Sequence, residues 1–169
     1  APDSLVAVGN GRLKSKQSAK LGYTTWEWEV KNPINNYNVT VNIADYVHFT
    51  DDFTDATGES RTLNYYVLRG NEIKATEHFQ QVKPMMGCFE EYMGPYPFYK
   101  DGFKLVETPY LGMEHQSAIA YGNNYVNGYR GTDLSGTGHG MDDLVAVPHA
   151  HEGGLGIALN ARRIKSDHR

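Results

Sequence analysis

Cysteine is nearly missing from the sequence: Cys88 alone among 169 residues excludes an intrachain disulfide framework. No apolar run approaches the ~20 residues of a membrane-spanning helix, so no membrane span is expected. Positive charge is not in excess either. A net charge of −4 and a pI near 6.0 give no electrostatic footprint for nucleic acid, and no such partner is expected. Internal repeats are absent. The first residues show no charged segment followed by an apolar one, so a secretory signal was either removed or never present. The sequence is compatible with a soluble cytoplasmic, periplasmic or secreted protein. What is present is ordinary for such a protein, with 40% hydrophobic and 21% charged residues. The 12 tyrosines suit half-buried sheet surfaces. Cys88 sits among Met85, Met86 and Phe89, the setting of a buried apolar thiol. Asn38-Val39-Thr40 has the form of a glycosylation sequon, a tripeptide that is common by chance.

The first half reads as antiparallel β structure. Ser4 to Val8 is a short apolar run ending at the turn signal Gly9-Asn10-Gly11. From Tyr23 to Val30 the residues alternate, with Thr24, Trp26, Trp28 and Val30 on one side, which predicts a half-buried strand. Lys31 to Asn36 carries turn chemistry, and Asn38 to Phe49 reads as a second long strand with Val39, Val41 and Ile43 on one side. The two are expected to form a hairpin. Asp51 to Ser60 reads as a polar surface loop and Leu63 to Leu68 as a further strand.

The texture changes at Asn71, a candidate N-cap. Ile73 is followed by Phe79, Val82, Met86, Phe89 and Met93, the last five spaced by threes and fours as on one face of a helix. Pro84 predicts a kink or break within it, and Gly94-Pro95-Tyr96-Pro97 an end. Strands are expected at Phe103 to Val106 and Ser117 to Tyr121, around a loop at Glu107 to Tyr110. A domain boundary is placed near residue 70. The glycines from Gly122 onward predict a long mobile connection.

Between Val106 and Tyr125 the chain reads VETPYLGMEHQSAIAYGNNY. Gly112-Met113-Glu114-His115-Gln116 puts a carboxylate and an imidazole beside a glycine at a strand mouth. Such a carboxylate could anchor a cation, ligate a metal, act as a base, or simply face solvent.

This segment resembles the Gly-x-Met-Glu-Asn exopeptidase motif of the aminopeptidase N and leukotriene hydrolase-like family of zinc aminopeptidases (gluzincins). It is most similar to a bacterial branch that reads His-Gln after the glutamate. The flanks DSLVAVGNGRL, TTWEWEVKNPINNYNVTVNIADYVHF and YGNNYVNGY resemble the same branch. The resemblance implies an α+β chain. Residues 1–70 would form the end of an amino-terminal antiparallel β domain. Residues 71–148 would form the first, incomplete part of a thermolysin-like catalytic domain, and 149–169 a divergent or artefactual tail. It also implies that the parent protein removes amino-terminal residues from peptides. Glu114 would anchor the substrate α-amine, which an internal peptide bond cannot offer. Gly112 and Met113 would lie along the substrate backbone, and Gln116 and His115 would shape the pocket.

Family catalysis uses zinc held by a helical His-Glu-x-x-His motif, whose glutamate is the general base, and by a later glutamate. Counting along the branch from Glu114 puts the first zinc histidine at His149. Yet Ala150 stands at the base position and Gly153 at the second histidine. Gly153, Gly154 and Gly156 each cost about 1 kcal/mol in a helix interior. Zinc is therefore expected in the parent family and not from an intact motif here, and peptide cleavage by this chain is not expected. The alternatives are a metal held otherwise, through His139, His149, His151 or His168, and a non-catalytic peptide-binding or scaffold module.

Overall fold

In the computed structural model, which describes residues 1–133, nine strands surround one helical excursion. Strands β1 (Val6–Gly9) and β4 (Val41–Ala44) form one antiparallel pair, and β2 (Arg12–Ser18) and β3 (Thr24–Glu29) form another. The main sheet has five strands in the order β5-β6-β7-β9-β8. These are β5 (Tyr46–Thr54), β6 (Ser60–Leu68), β7 (Phe103–Glu107), β8 (Gly112–Met113) and β9 (Ile119–Tyr121). β6, β7 and β9 run parallel, while β5 and β8 are antiparallel edges. Helices α1 (Glu72–His78) and α2 (Val82–Met93) make the crossover from β6 to β7. The chain is α+β, as expected.

Alternation in the sheet sorts the side chains onto two faces. Leu63, Tyr65, Val67, Phe103, Leu105, Ile119 and Tyr121 meet Ala75, Phe79, Val82, Met85 and Met86 from the helices. Each large side chain buried there contributes about 1.5–3 kcal/mol. The opposite face places Tyr66 and Val106 against Val8, Tyr46 and Trp28. The predicted helix face is thus realised from Phe79 to Met86, although Ile73 is 85% exposed. The break falls at the 3₁₀ turn Phe79–Gln81, one turn upstream of Pro84. Pro84 then lies in the first turn of α2, where a missing N–H removes no helix bond. Asn71 stands at the N-cap position, but its side chain donates to Glu107 Oε1 at 2.7 Å rather than capping the helix.

Several strand expectations are corrected. β3 pairs with β2, not with the strand that follows it, and β4 pairs with β1. β2 is a polar strand, RLKSKQS, with hardly any apolar alternation to reveal it. The single long strand is two, divided at Asp45, whose carboxylate holds Arg69 through two bonds of 2.9 Å. Val41 and Ile43 do share a side of β4, whereas Val39 lies before the strand, and all three are 50–65% exposed. Asp51 to Thr54 is strand rather than loop, because β5 is a sheet edge with only one face covered. The five-stranded sheet contains strands from both sides of residue 70. Cys88 is exposed, not buried.

The β5-β6 turn is built on Asp55. Its carboxylate accepts from Thr57 Oγ1 (2.5 Å), Thr57 N (2.9 Å), Glu59 N (3.0 Å) and Arg61 Nε (2.6 Å). The Thr57 hydroxyl chiefly holds this carboxyl well below the usual range, against the upward push of burial, and Arg61 adds to it. A depressed carboxyl contributes stability that is complete above the ordinary carboxylate value and is lost as pH falls below it. Asp55→Asn should therefore lower the urea midpoint at neutral pH. The gap between the two proteins should narrow progressively as pH falls below about 4.

Candidate functional site

The segment around Glu114 forms one edge of the main sheet. β8 pairs with β9 as Gly112↔Tyr121 and Met113↔Ala120, and among the described residues no strand lies on its other side. Gly122 N donates to Leu111 O at 2.9 Å just before β8 begins. After β8 the chain turns at His115 to Ala118, closed by Ala118 N donating to His115 O at 3.0 Å. Ser117 sits at φ 58° in this turn and accepts from Gly11 N through Oγ at 2.8 Å.

A second segment is tied to the first by Asn10. Its amide donates to Gln116 O (2.6 Å) and Asn38 O (2.9 Å), and its oxygen accepts from Thr40 N (2.7 Å). This brings the 3₁₀ turn Asn36–Asn38 to the mouth of β8. There the Tyr37 hydroxyl donates to Glu114 Oε1 at 2.9 Å and lies 3.5 Å from Met113 Sδ. The carboxylate raises the phenol pKa, first by this hydrogen bond and then with burial and its charge.

Gly112, Met113 and Glu114 are half-buried and adjacent to one another. Gln116 is buried and meets Asn10 through its backbone, while its Nε2 has no partner among the described residues. His115 Nδ1 is likewise buried without a partner. Burial holds this imidazole below its ordinary pKa, against the opposite pull of Glu114. His139, His149, His151 and His168 lie outside the described residues. Among the described residues no three His, Cys, Asp or Glu side chains converge as metal ligands. No described helix is long and apolar enough to cross a membrane.

Tyr37 and Asn10 are the site residues that sequence reading missed. Asn10 lay within a turn signal, and Tyr37 within a run of turn-forming asparagines. Nothing local marks either, since their partners lie 77 and 106 positions away. The glycine-dense stretch after Tyr121 also begins differently from expectation. Up to Asp133 it is a folded loop around buried Asn123, whose amide donates to Val126 O and Gly128 O at 2.8 Å. Elsewhere, a cleft of about 500 Å³ between the β2-β3 pair and the sheet is lined by Trp26, Trp28 and Tyr66, and by none of Gly112 to Gln116.

No family model matches this sequence, and no curated protein is similar to it at the sequence level. Solved structures are similar in fold. An M1 zinc metallopeptidase from Deinococcus radiodurans superposes with a TM-score of 0.68 at 16% identity, over 89% of this chain and 31% of that one. A mutant two-domain M1 zinc metallopeptidase bound to L-arginine gives the same TM-score and identity, over 89% and 32%. Legionella pneumophila aminopeptidase A, in complex with aspartic acid, gives 0.68 at 17% identity, over 87% and 17%. The chain spans about a third or less of each of these relatives, and it has the fold of that portion of an M1 zinc metallopeptidase.

Proposed function

We propose that this chain is a piece of a zinc-dependent aminopeptidase and carries the element that recognises a peptide's free amino terminus. The carrying observation is Glu114 at the end of an open-edged strand. A peptide laid along β8 would add a strand through main-chain hydrogen bonds. Its α-ammonium would then meet a carboxylate already positioned by the fold. A cation drawn out of water needs such a partner to offset its desolvation. Internal peptide segments carry no ammonium, so the same contact selects chain ends. In this reading the strands before residue 70 close an amino-terminal β domain, and the crossover helices open a thermolysin-like catalytic domain. The main sheet runs through both.

Zinc belongs to the parent activity in this proposal. His149, the expected ligand, lies outside the described residues, and amine recognition itself needs no metal. Ala150 and Gly153 at the expected base and ligand positions favour a second reading, a peptide-binding module without catalysis. Stoichiometric zinc together with turnover of an aminoacyl-anilide would overturn that second reading.

The test of Glu114 is binding of a dye-labelled peptide with a free amino terminus, against its acetylated twin, by fluorescence anisotropy. The free-amine peptide should bind about ten-fold more tightly, as expected for one charge-assisted contact. Glu114→Gln should erase the difference and leave the acetylated peptide unchanged. Equal binding of the two peptides by the unsubstituted chain would refute the assignment.

A further inference from the structure

The Tyr37 phenol and the Glu114 carboxylate come from segments 77 positions apart, yet meet at 2.9 Å at the mouth of β8. The turn that carries Tyr37 is held firmly. Asn35 accepts from Asn38 N through its side chain at 3.0 Å, and Asn10 ties Asn38 and Thr40 to Gln116. The phenol is therefore a built part of the site, although the residue is 56% exposed.

The direction of the hydrogen bond matters. Tyr37 gives its only proton to Glu114 Oε1, which leaves the phenol oxygen's lone pairs as acceptors. Glu114 Oε2 accepts from no described group. Two acceptors, one charged and one neutral, then lie side by side at the open edge. A primary ammonium has three N–H donors and can use both at once. A dimethylated ammonium keeps the charge but has a single donor.

We propose that Tyr37 is a second acceptor for the substrate amine, so that the site selects primary amino termini over equally charged N,N-dimethylated ones. This rests on Glu114 being the amine anchor. Glu114 supplies the charge that both cations share, and Tyr37 supplies the contact that only the multiply donating one can make. A purely structural Tyr37 would influence the two cations alike.

The experiment compares three twins of one labelled peptide, with primary, N,N-dimethyl and acetylated amino termini, on the full chain. The unsubstituted chain should prefer the primary amine over the dimethylated one by about five-fold, the net contribution of one hydrogen bond. Tyr37→Phe should remove that preference by weakening only the primary peptide. Both cationic peptides should still bind better than the acetylated one. Glu114→Gln should abolish both distinctions. If Glu114→Gln leaves the preference over the acetylated peptide intact, or if the unsubstituted chain shows none, the anchor fails and this inference fails with it. If Glu114→Gln acts as expected while Tyr37→Phe weakens both cations equally or neither, the anchor stands and Tyr37 is not an acceptor.

Discussion

Glu90→Ala should destabilise the chain by about 3–5 kcal/mol, a large part of the total for a domain of this size. Glu90 lies on α2 and is buried. Its Oε1 accepts from the Tyr99 hydroxyl (2.6 Å) and Tyr96 N (3.0 Å), and its Oε2 from Ala56 N (2.7 Å). One carboxylate thereby ties the helix to the β5-β6 turn and to the segment that leads into β7. Truncation removes the carboxylate that two backbone N–H groups and a phenol donate to, a loss of about 1–3 kcal/mol for each donor that stays buried and unpaired. Glu90→Gln should recover part of the loss, since its one carbonyl oxygen can still serve one side. Urea unfolding followed by tryptophan fluorescence measures both. A loss below about 1 kcal/mol for the alanine variant would show that water reaches and satisfies these donors.

Gly122→Ala should follow in size, at about 2–3 kcal/mol, and it should also damage the proposed amine site. A Cβ at this position would lie 1.8 Å from Tyr110 O, 2.7 Å from Tyr110 C and 2.8 Å from Thr108 O. All three are backbone atoms, so no side-chain rotation relieves the overlap. The 108–111 loop must withdraw. It is anchored by Thr108 N donating to Tyr121 O (2.7 Å) and by Gly122 N donating to Leu111 O (2.9 Å). Leu111 immediately precedes β8, so its displacement carries Gly112 and Met113 away from β9. The expected result is a lowered unfolding midpoint together with loss of free-amine preference, although Glu114 itself is untouched. Gly87→Ala is the matched control, because a Cβ there meets nothing within 4 Å on an exposed helical position. Helix propensity should make that change neutral or slightly stabilising. Equal stability of the two variants would contradict the clash.

The parts of this fold that could be read in advance are those whose physics is local. The Phe79 to Met86 face announces its helix by spacing, and Trp26 and Trp28 announce β3 by alternation. Pairing is not local. β2 offers almost no hydrophobic signal, so the sequence points past it to the apolar strand that follows β3, although β2 is the closer of the two along the chain. Asp51 to Thr54 looks like a loop because one side of an edge strand faces water. The site divides in the same way. Glu114 and its glycine stand in a contiguous motif, and the fold keeps them together. Tyr37 and Asn10 act through contacts that exist only after the chain has closed on itself, and no residue type at either position signals them.

The exposed side of β4 has a consequence for the chain in solution. Val41 and Ile43 form an outward pair of β-branched side chains on β4, and among the described residues β4 is hydrogen-bonded on one edge only. An open strand edge beside such a pair is a template for strand addition by another copy. Colloidal behaviour should therefore depend on concentration, and a charged residue in place of Val41 would act as a gatekeeper against sheet-to-sheet assembly.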